Sequence, residues 1–187
     1  RLDSRIFLAG LGGIALLAFA LRLIVCVQLC PHPSVHSPAA VTDMATYRRL
    51  AMEIAHGTLP SHFYYQPFYY AVFLPVIYRV CGAGPWGPAL AQTLLGTAAV
   101  WLTGITGARL FGRRAGWLAA ALLAISRTAV FYTPFLLIAT LQSFWMALLA
   151  YLALQVWRER RCTHVVLLGL TTSAAVLSRG NVILLVP

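Results

Sequence analysis

Four carboxylates and fourteen guanidinium groups carry the fixed charge of this 187-residue chain, which has no lysine. Their positions limit the chemistry open to it. Asp3 and Glu159 stand beside arginines and read as solvated charges. Asp43 follows Thr42 at the start of a stretch with helical spacing. A side-chain oxygen there caps a helix, a contribution of about 1 kcal/mol. A carboxylate in the same place can also take the proton of an attacking hydroxyl. Both roles are open to Asp43, and they do not exclude each other. Glu53 comes four residues after Arg49, the spacing of an ion pair on a solvated helix face.

Three arginines, Arg22, Arg127 and Arg179, interrupt long apolar runs. Charge inside a membrane span is costly and usually faces a cavity or a partner. With so few carboxylates present, an anionic ligand would resolve all three, and guanidinium binds phosphate oxygens bidentately. Snorkelling of each side chain to the headgroups is the alternative. His32, His36, His56 and His62 fall within residues 30–87 without HExxH spacing. No cofactor is demanded, and a divalent metal is the one left open. Gln92 and Gln142 read as interhelical hydrogen-bonders. Cys30 and Cys81 could pair, although nothing in their spacing requires it. Gly10, Gly12 and Gly13 lie in an apolar helix and serve packing, not phosphate binding.

The elements that hold these residues follow from composition. The chain is 60% hydrophobic and 10% charged, with a mean hydropathy of +0.80. Soluble domains carry about 25% charged residues, and disorder requires low hydrophobicity; both classes are excluded. A net charge of +10 raises nucleic acid as a partner. The arginines, however, sit singly or in short clusters beside apolar runs, which membrane topology explains and nucleic-acid binding does not. A span needs about 20 apolar residues. Residues 6–29, 88–110, 115–133, 135–157 and 165–186 qualify. Residues 68–80 do not: at 1.5 Å per residue they cover about 20 Å.

Charge decides the place of that short piece. If it spans, the arginine clusters at 113–114 and 158–161 fall on the side opposite the amino-terminal arginines, against the positive-inside rule. If it lies at the interface, all the clusters face the cytoplasm. The expected fold is therefore an all-α, polytopic membrane helix bundle with five spans, the first running outward. Residues 30–87 form one external loop with two juxtamembrane helices. Arg22 then lies about 24 Å along the first span and Arg179 about 22 Å along the fifth, at similar outer depth. Within the loop, Pro31, Pro33 and Pro38 exclude regular helix. Thr42 or Asp43 caps a helix over 44–56, ended by Gly57. Its apolar positions are Tyr47, Leu50, Ala51 and Ile54. Residues 61–70 are dense in tyrosine and phenylalanine, a composition suited to a membrane interface. A cleaved signal peptide is the rival reading of residues 6–21, but the apolar run continues without a small-residue cleavage site. The sequence stops at Pro187 inside an apolar run and reads as the amino-terminal part of a longer chain, a single domain over 1–187.

Four motifs occur in order: Asp43-Met44-Ala45-Thr46-Tyr47 with Ala51 and Gly57; Tyr65-Gln66-Pro67-Phe68-Tyr69; Leu110-Phe111-Gly112-Arg113-Arg114-Ala115-Gly116; and Leu177-Ser178-Arg179-Gly180-Asn181. With the apolar spans between them, the chain resembles the C-type membrane glycosyltransferases, which include the dolichyl-phosphate-mannose protein mannosyltransferases and the aminoarabinose transferases. The resemblance implies a sugar donor on a polyprenyl phosphate and an acceptor lipid, glycan or protein. It also implies a multi-pass protein, here of a bacterial inner membrane, with its site facing outward and no nucleic acid involved. It carries the catalytic aspartate of the first external loop onto Asp43. Substrate contacts are expected of Arg179, Arg127, Arg22, Tyr47, Gln66 and Tyr69, with Tyr64, Tyr65 and Tyr70 nearby. Some members have lysine where this chain has Gln66, and many carry a glutamate near 138–140, where this chain has none. An anionic-lipid transporter and a non-catalytic membrane scaffold are the competing readings; no internal repeat favours the transporter.

Overall fold

The computed structural model describes residues 4–60 and 66–185, which are helical with no strand among them. Asp3, His62, Tyr64, Tyr65 and Val186 lie outside the described residues. Three helices are long and apolar enough to cross a membrane: α1 (Ser4–Leu29), α5 (Trp86–Phe111) and α8 (Ala139–Glu159). Between α1 and α5 come α2 (Pro33–His36), α3 (Asp43–Ala55), a π-helical stretch (Phe68–Phe73) and α4 (Leu74–Cys81). The remaining helices are α6 (Arg113–Ala124), α7 (Arg127–Phe131) and α9 (Cys162–Ser178), followed by a 3-10 turn (Gly180–Leu185).

The central element is α5, which packs against α1, α4, α6 and α8. Glycine sets its approach to α6. A Cβ on Gly116 would stand 2.5 Å from the Gly104 carbonyl oxygen, so only hydrogen fits at that crossing. The two helices are joined by Gly112 alone, at φ +93°, a left-handed conformation natural to glycine. The buried stripe of α1 is Phe7, Leu11, Ala18, Arg22 and Cys26, spaced by multiples of a helical turn. Trp117 of α6 stacks on Phe7 and donates its indole N–H to the Phe7 carbonyl at 3.0 Å. Its ring also lies where a Cβ on Gly10 would stand, at 2.7 Å, which gives Gly10 the packing role expected of it; Gly12 and Gly13 have no such neighbour.

The arginine clusters share one end of the bundle. Arg158 donates to the Arg109 carbonyl at 3.2 Å, and Arg109 bonds Gln155 and lies over the Tyr151 ring. The Phe7–Trp117 contact brings the start of α1 to the start of α6, where Arg113 and Arg114 stand. At the other end, α3 and the 68–81 helix bury Met44, Tyr47, Leu50, Tyr69, Tyr70 and Leu74 together, with Leu136 and Leu141 beneath them. The helix expected over 68–80 is present, but its first part is π-helical. The Leu74 amide bonds the Tyr69 carbonyl, five residues back, just before Pro75. That wide turn makes room for a ring that would clash with the carbonyl of an ordinary α-turn.

Three expected boundaries move. The stretch 115–133 is not one helix: α6 ends at Ala124 and α7 covers only Arg127–Phe131. The polar triplet Ser126-Arg127-Thr128 breaks the apolar run, and Pro134 disfavours helix at Thr133. The next helix accordingly begins at Ala139 instead of 135. The last one begins at Cys162 and stops at Ser178, because Arg179 is extended and Gly180-Asn181 follow. The broken backbone at 132–138 needs hydrogen-bond partners inside the bundle. Gln92 of α5 supplies them, its buried amide donating to the carbonyls of Thr133 at 3.0 Å and Phe135 at 2.9 Å. Gln142, expected to act similarly, has a buried amide oxygen without a partner among the described residues, as Gln92 also does. Gln92→Leu should destabilise the fold by about 2 kcal/mol, since two buried carbonyls lose their donor. Thermal unfolding in detergent micelles should show a lowered midpoint.

Candidate functional site

On the face opposite the arginine clusters, α3 begins with Thr42 as its cap. The Thr42 hydroxyl oxygen accepts the Ala45 amide at 3.4 Å and its O–H donates to the Ala39 carbonyl at 2.7 Å. Capping therefore falls to Thr42. Asp43 is the first helical residue, exposed, with its carboxylate in the first turn, where the helix dipole favours negative charge. Glu53 pairs with Arg49 at 3.1 Å, the i,i+4 bridge expected from their spacing. The helix is then tied to its surroundings by two arginines. Arg48 donates to the carbonyls of His36 and Ala83, and Arg79 of α4 donates to those of Ile54 and Ala55. Arg79 thus closes the carboxyl end of α3, a role for which cations are suited and which its position in another helix concealed from sequence reasoning.

Tyr47, Gln66 and Tyr69 meet in one cluster. The Tyr47 hydroxyl donates to the Gln66 side-chain oxygen at 2.6 Å. The Tyr47 ring meets Tyr69 edge-on at 5.4 Å and stacks on Tyr70 at 6.3 Å. Gln66 holds φ +67° immediately before Pro67, a left-handed backbone that costs on the order of 1–3 kcal/mol away from glycine. The Tyr47 bond and the packing of Tyr69 and Tyr70 hold it there. Tyr69 and Tyr70 are completely buried, and the Tyr69 hydroxyl has no hydrogen-bond partner among the described residues. Burial holds the Tyr69 phenol well above its ordinary pKa, and pushes that of Tyr78 up to about 12 against the opposing pull of Arg48.

The three expected phosphate-binding arginines are differently placed. Arg22 is 1% exposed. Its Nη1 donates to the Ala18 carbonyl at 3.0 Å, while its Nε is buried without a partner. Gly96 makes this possible: a Cβ there would stand 2.6 Å from Nε. The side chain lines a cavity of about 270 Å³ with Gly96 of α5, Ser126, Tyr132 near α7, and Thr140 and Ser143 of α8. Thr140 is also buried with an unpartnered hydroxyl. Arg127, at the start of α7, and Arg179, just after α9, are exposed and do not line this cavity. Arg179 does follow Ser178, whose hydroxyl accepts the Trp145 indole N–H at 3.0 Å. Trp145 in turn packs edge-on against Phe68. The cavity's hydroxyl wall was missed in the sequence. Its signals were the polar triplet at 126–128 and the i,i+3 pair Thr140 and Ser143, which share a helix face.

Cys30 is buried beside Cys26 and Ala89 while Cys81 is exposed, and neither is in a disulfide. Among the described residues, no three of His, Cys, Asp and Glu gather as a metal-ligand set; His62 lies outside them.

The chain belongs to the dolichyl-phosphate-mannose-protein mannosyltransferase family, whose model matches residues 65–187. It is thus a glycosyltransferase-family membrane protein. The matched segment contains Gln66, Tyr69, Arg127 and Arg179, and begins after Arg22, Asp43 and Tyr47. No curated protein and no solved structure matches the chain.

Two measurements probe the aromatic cluster. Tyr47→Phe removes the Gln66 bond and should cost about 1 kcal/mol of stability, read as a lowered unfolding midpoint. Tyr69 and Tyr78 are held protonated more strongly in the folded state than in the unfolded chain. Their stabilisation is full below pH 10, the ordinary phenol value, and is lost as pH rises towards 12 and beyond. Denaturant midpoints should therefore fall above pH 10, and less steeply in Tyr78→Phe.

Proposed function

We propose that this chain acts as a membrane glycosyltransferase that moves a sugar from a polyprenyl-phosphate donor to an acceptor hydroxyl at the outer or lumenal face. Family membership carries the reading. It is supported by an exposed carboxylate at the start of α3, at the end of the bundle remote from the arginine clusters. Asp43 acts as general base and takes the proton of the acceptor hydroxyl. The oxygen attacks the anomeric carbon from the side opposite the lipid phosphate. The bond from that carbon to the phosphate oxygen breaks, and the electron pair leaves with the phosphate. The sugar is inverted at the reacting carbon.

The departing phosphate gains negative charge, and a guanidinium placed to meet it lowers the barrier. Arg179 and Arg127, exposed beyond the ends of the apolar helices, serve that purpose, and Arg22 holds lipid phosphate within the bundle. Tyr47, Gln66 and Tyr69 fix α3 against the 68–81 helix and so fix the position of Asp43. A packed aromatic cluster with a polar edge also suits contact with sugar or lipid. The acceptor is a lipid, a glycan or a protein hydroxyl.

Membranes holding the full-length protein should transfer label from a polyprenyl-phosphate sugar, and Asp43→Asn should lower the rate by about 10²–10⁴-fold, the usual contribution of a positioned base. Equal transfer by both forms would remove Asp43 from the reaction and favour a non-catalytic scaffold.

A further inference from the structure

Arg179 joins a fixed backbone to an exposed side chain. It is the extended residue at which α9 stops. Its amide donates to the Ala175 carbonyl at 2.8 Å, and its carbonyl accepts the amide of Val182, a buried residue of the 3-10 turn, at 3.1 Å. The place of its guanidinium is therefore tied to the end of α9.

A hydrogen bond between helices holds that end. Ser178 is completely buried. Its hydroxyl donates to the Ala174 carbonyl at 2.8 Å within α9 and accepts the Trp145 indole N–H of α8 at 3.0 Å. A hydroxyl has one proton and two lone pairs, and an indole N–H can only donate. Each group thus has one role, and the two bonds do not compete. A tryptophan of a membrane helix commonly turns its N–H to the headgroups; this one turns it to a buried serine.

The other contact of Trp145 leads toward α3. Its ring meets Phe68 edge-on, with centroids 5.5 Å apart, and α9 packs on the same π-helical stretch. Phe68 follows Gln66-Pro67. The Gln66 side chain accepts the Tyr47 hydroxyl of α3, and its carbonyl accepts the Tyr69 amide at 3.2 Å. An unbroken path of contacts runs from α3, which bears Asp43, through Tyr47, Gln66, Phe68, Trp145 and Ser178 to Arg179. Groups that act on opposite sides of one carbon need a fixed separation, and a displacement of about 1 Å costs on the order of 10²-fold in rate.

We propose that Trp145 is a positioning residue: its indole, bonded to Ser178 and packed on Phe68, sets where Arg179 stands relative to α3. The proposal rests on the reading above, in which Arg179 meets the departing phosphate and Asp43 is the base. It adds Trp145 and Ser178, which act through Arg179 and not on the substrate.

Proximity does not establish coupling, and a thermodynamic cycle does. The test is steady-state transfer from a labelled polyprenyl-phosphate sugar by the full-length protein in nanodiscs. Trp145→Phe keeps a ring on Phe68 and loses the bond to Ser178. It should lower kcat about tenfold and leave the donor KM within about twofold, the pattern of an interaction that matters in the transition state alone. Ser178→Ala should match it, and Ser178→Thr, which keeps the hydroxyl, should regain most of the rate. Adding Trp145→Phe to Arg179→Gln should cost nothing beyond Arg179→Gln itself. A second readout needs no turnover. Spin labels on Arg49→Cys and Asn181→Cys, both exposed positions, with the exposed Cys81 and Cys162 changed to serine, should give a narrow distance distribution. Trp145→Phe should broaden or displace it.

Wild-type kcat in Trp145→Phe and Ser178→Ala would overturn the proposal, as would an unchanged distance distribution. Additive losses in Trp145→Phe and Arg179→Gln would also overturn it, marking Trp145 as general support of the fold. If Trp145→Phe does not fold, Ser178→Ala decides by the same two readouts. A slow Arg179→Gln beside a full-rate Trp145→Phe sinks this proposal alone. A full-rate Arg179→Gln removes Arg179 from the reaction and sinks the reading of its role together with the proposal.

Discussion

The amide of Gln92 is the interaction on which the half of the bundle remote from the arginine clusters depends. In lipid, every backbone group must find a partner within the protein, and only a helix does so unaided. Residues 132–138 leave the helical path, and Gln92 reaches from α5 to take the two carbonyls exposed there. This fixes the non-helical stretch against the central helix. It also lets α8 start late and leaves α7 as a short separate piece. The space between α1, α5, α7 and α8 that holds Arg22 exists because the chain breaks where it does. Glycine at position 96 then admits the guanidinium itself.

The second organising feature is the cluster that joins α3 to the 68–81 helix. Its members come from both helices and from the start of α8. It therefore couples the segment bearing Asp43 to the bundle below. The strained Gln66 backbone and the π-helical turn before Pro75 are both kept in place by this packing. Arg48 and Arg79 add polar ties at the two ends of α3. The exposed Asp43 carboxylate is thus carried by a helix whose other face is buried in this cluster.

Much of this was legible in the sequence, and the reasons differ by element. Long apolar runs marked α1, α5 and α8 because their length and composition leave few alternatives. The start and end of α3 were legible from Thr42 and Gly57, which act through local geometry. The arginine clusters at 109–114 and 158–161 indicated that those turns share one end, and Arg158 bonds the Arg109 carbonyl there. What escaped was tertiary. The non-helical stretch 132–138 is held by a glutamine about forty residues earlier in the chain. Arg22, Arg127 and Arg179 were alike by depth, yet only Arg22 falls on its helix's buried stripe. Periodicity places Ala18, Arg22 and Cys26 on one line, but only the partner helix shows that a glycine stands opposite. The hydroxyl wall was distributed over two helices and could not be assembled from either alone.

The single-residue connection at Gly112 has a consequence for biogenesis. α6 has 12 residues and covers about 18 Å, well short of a hydrocarbon core of about 30 Å. Its amino-terminal arginines also resist transfer across a bilayer. Alone it is a poor substrate for membrane partitioning. Joined to α5 without slack, and pressed against it through Gly104 and Gly116, it can enter only as the second arm of a preformed hairpin. Residues 86–124 therefore behave as one hairpin unit, and a lengthened linker at Gly112 would leave the shorter arm without the contact that holds it to α5.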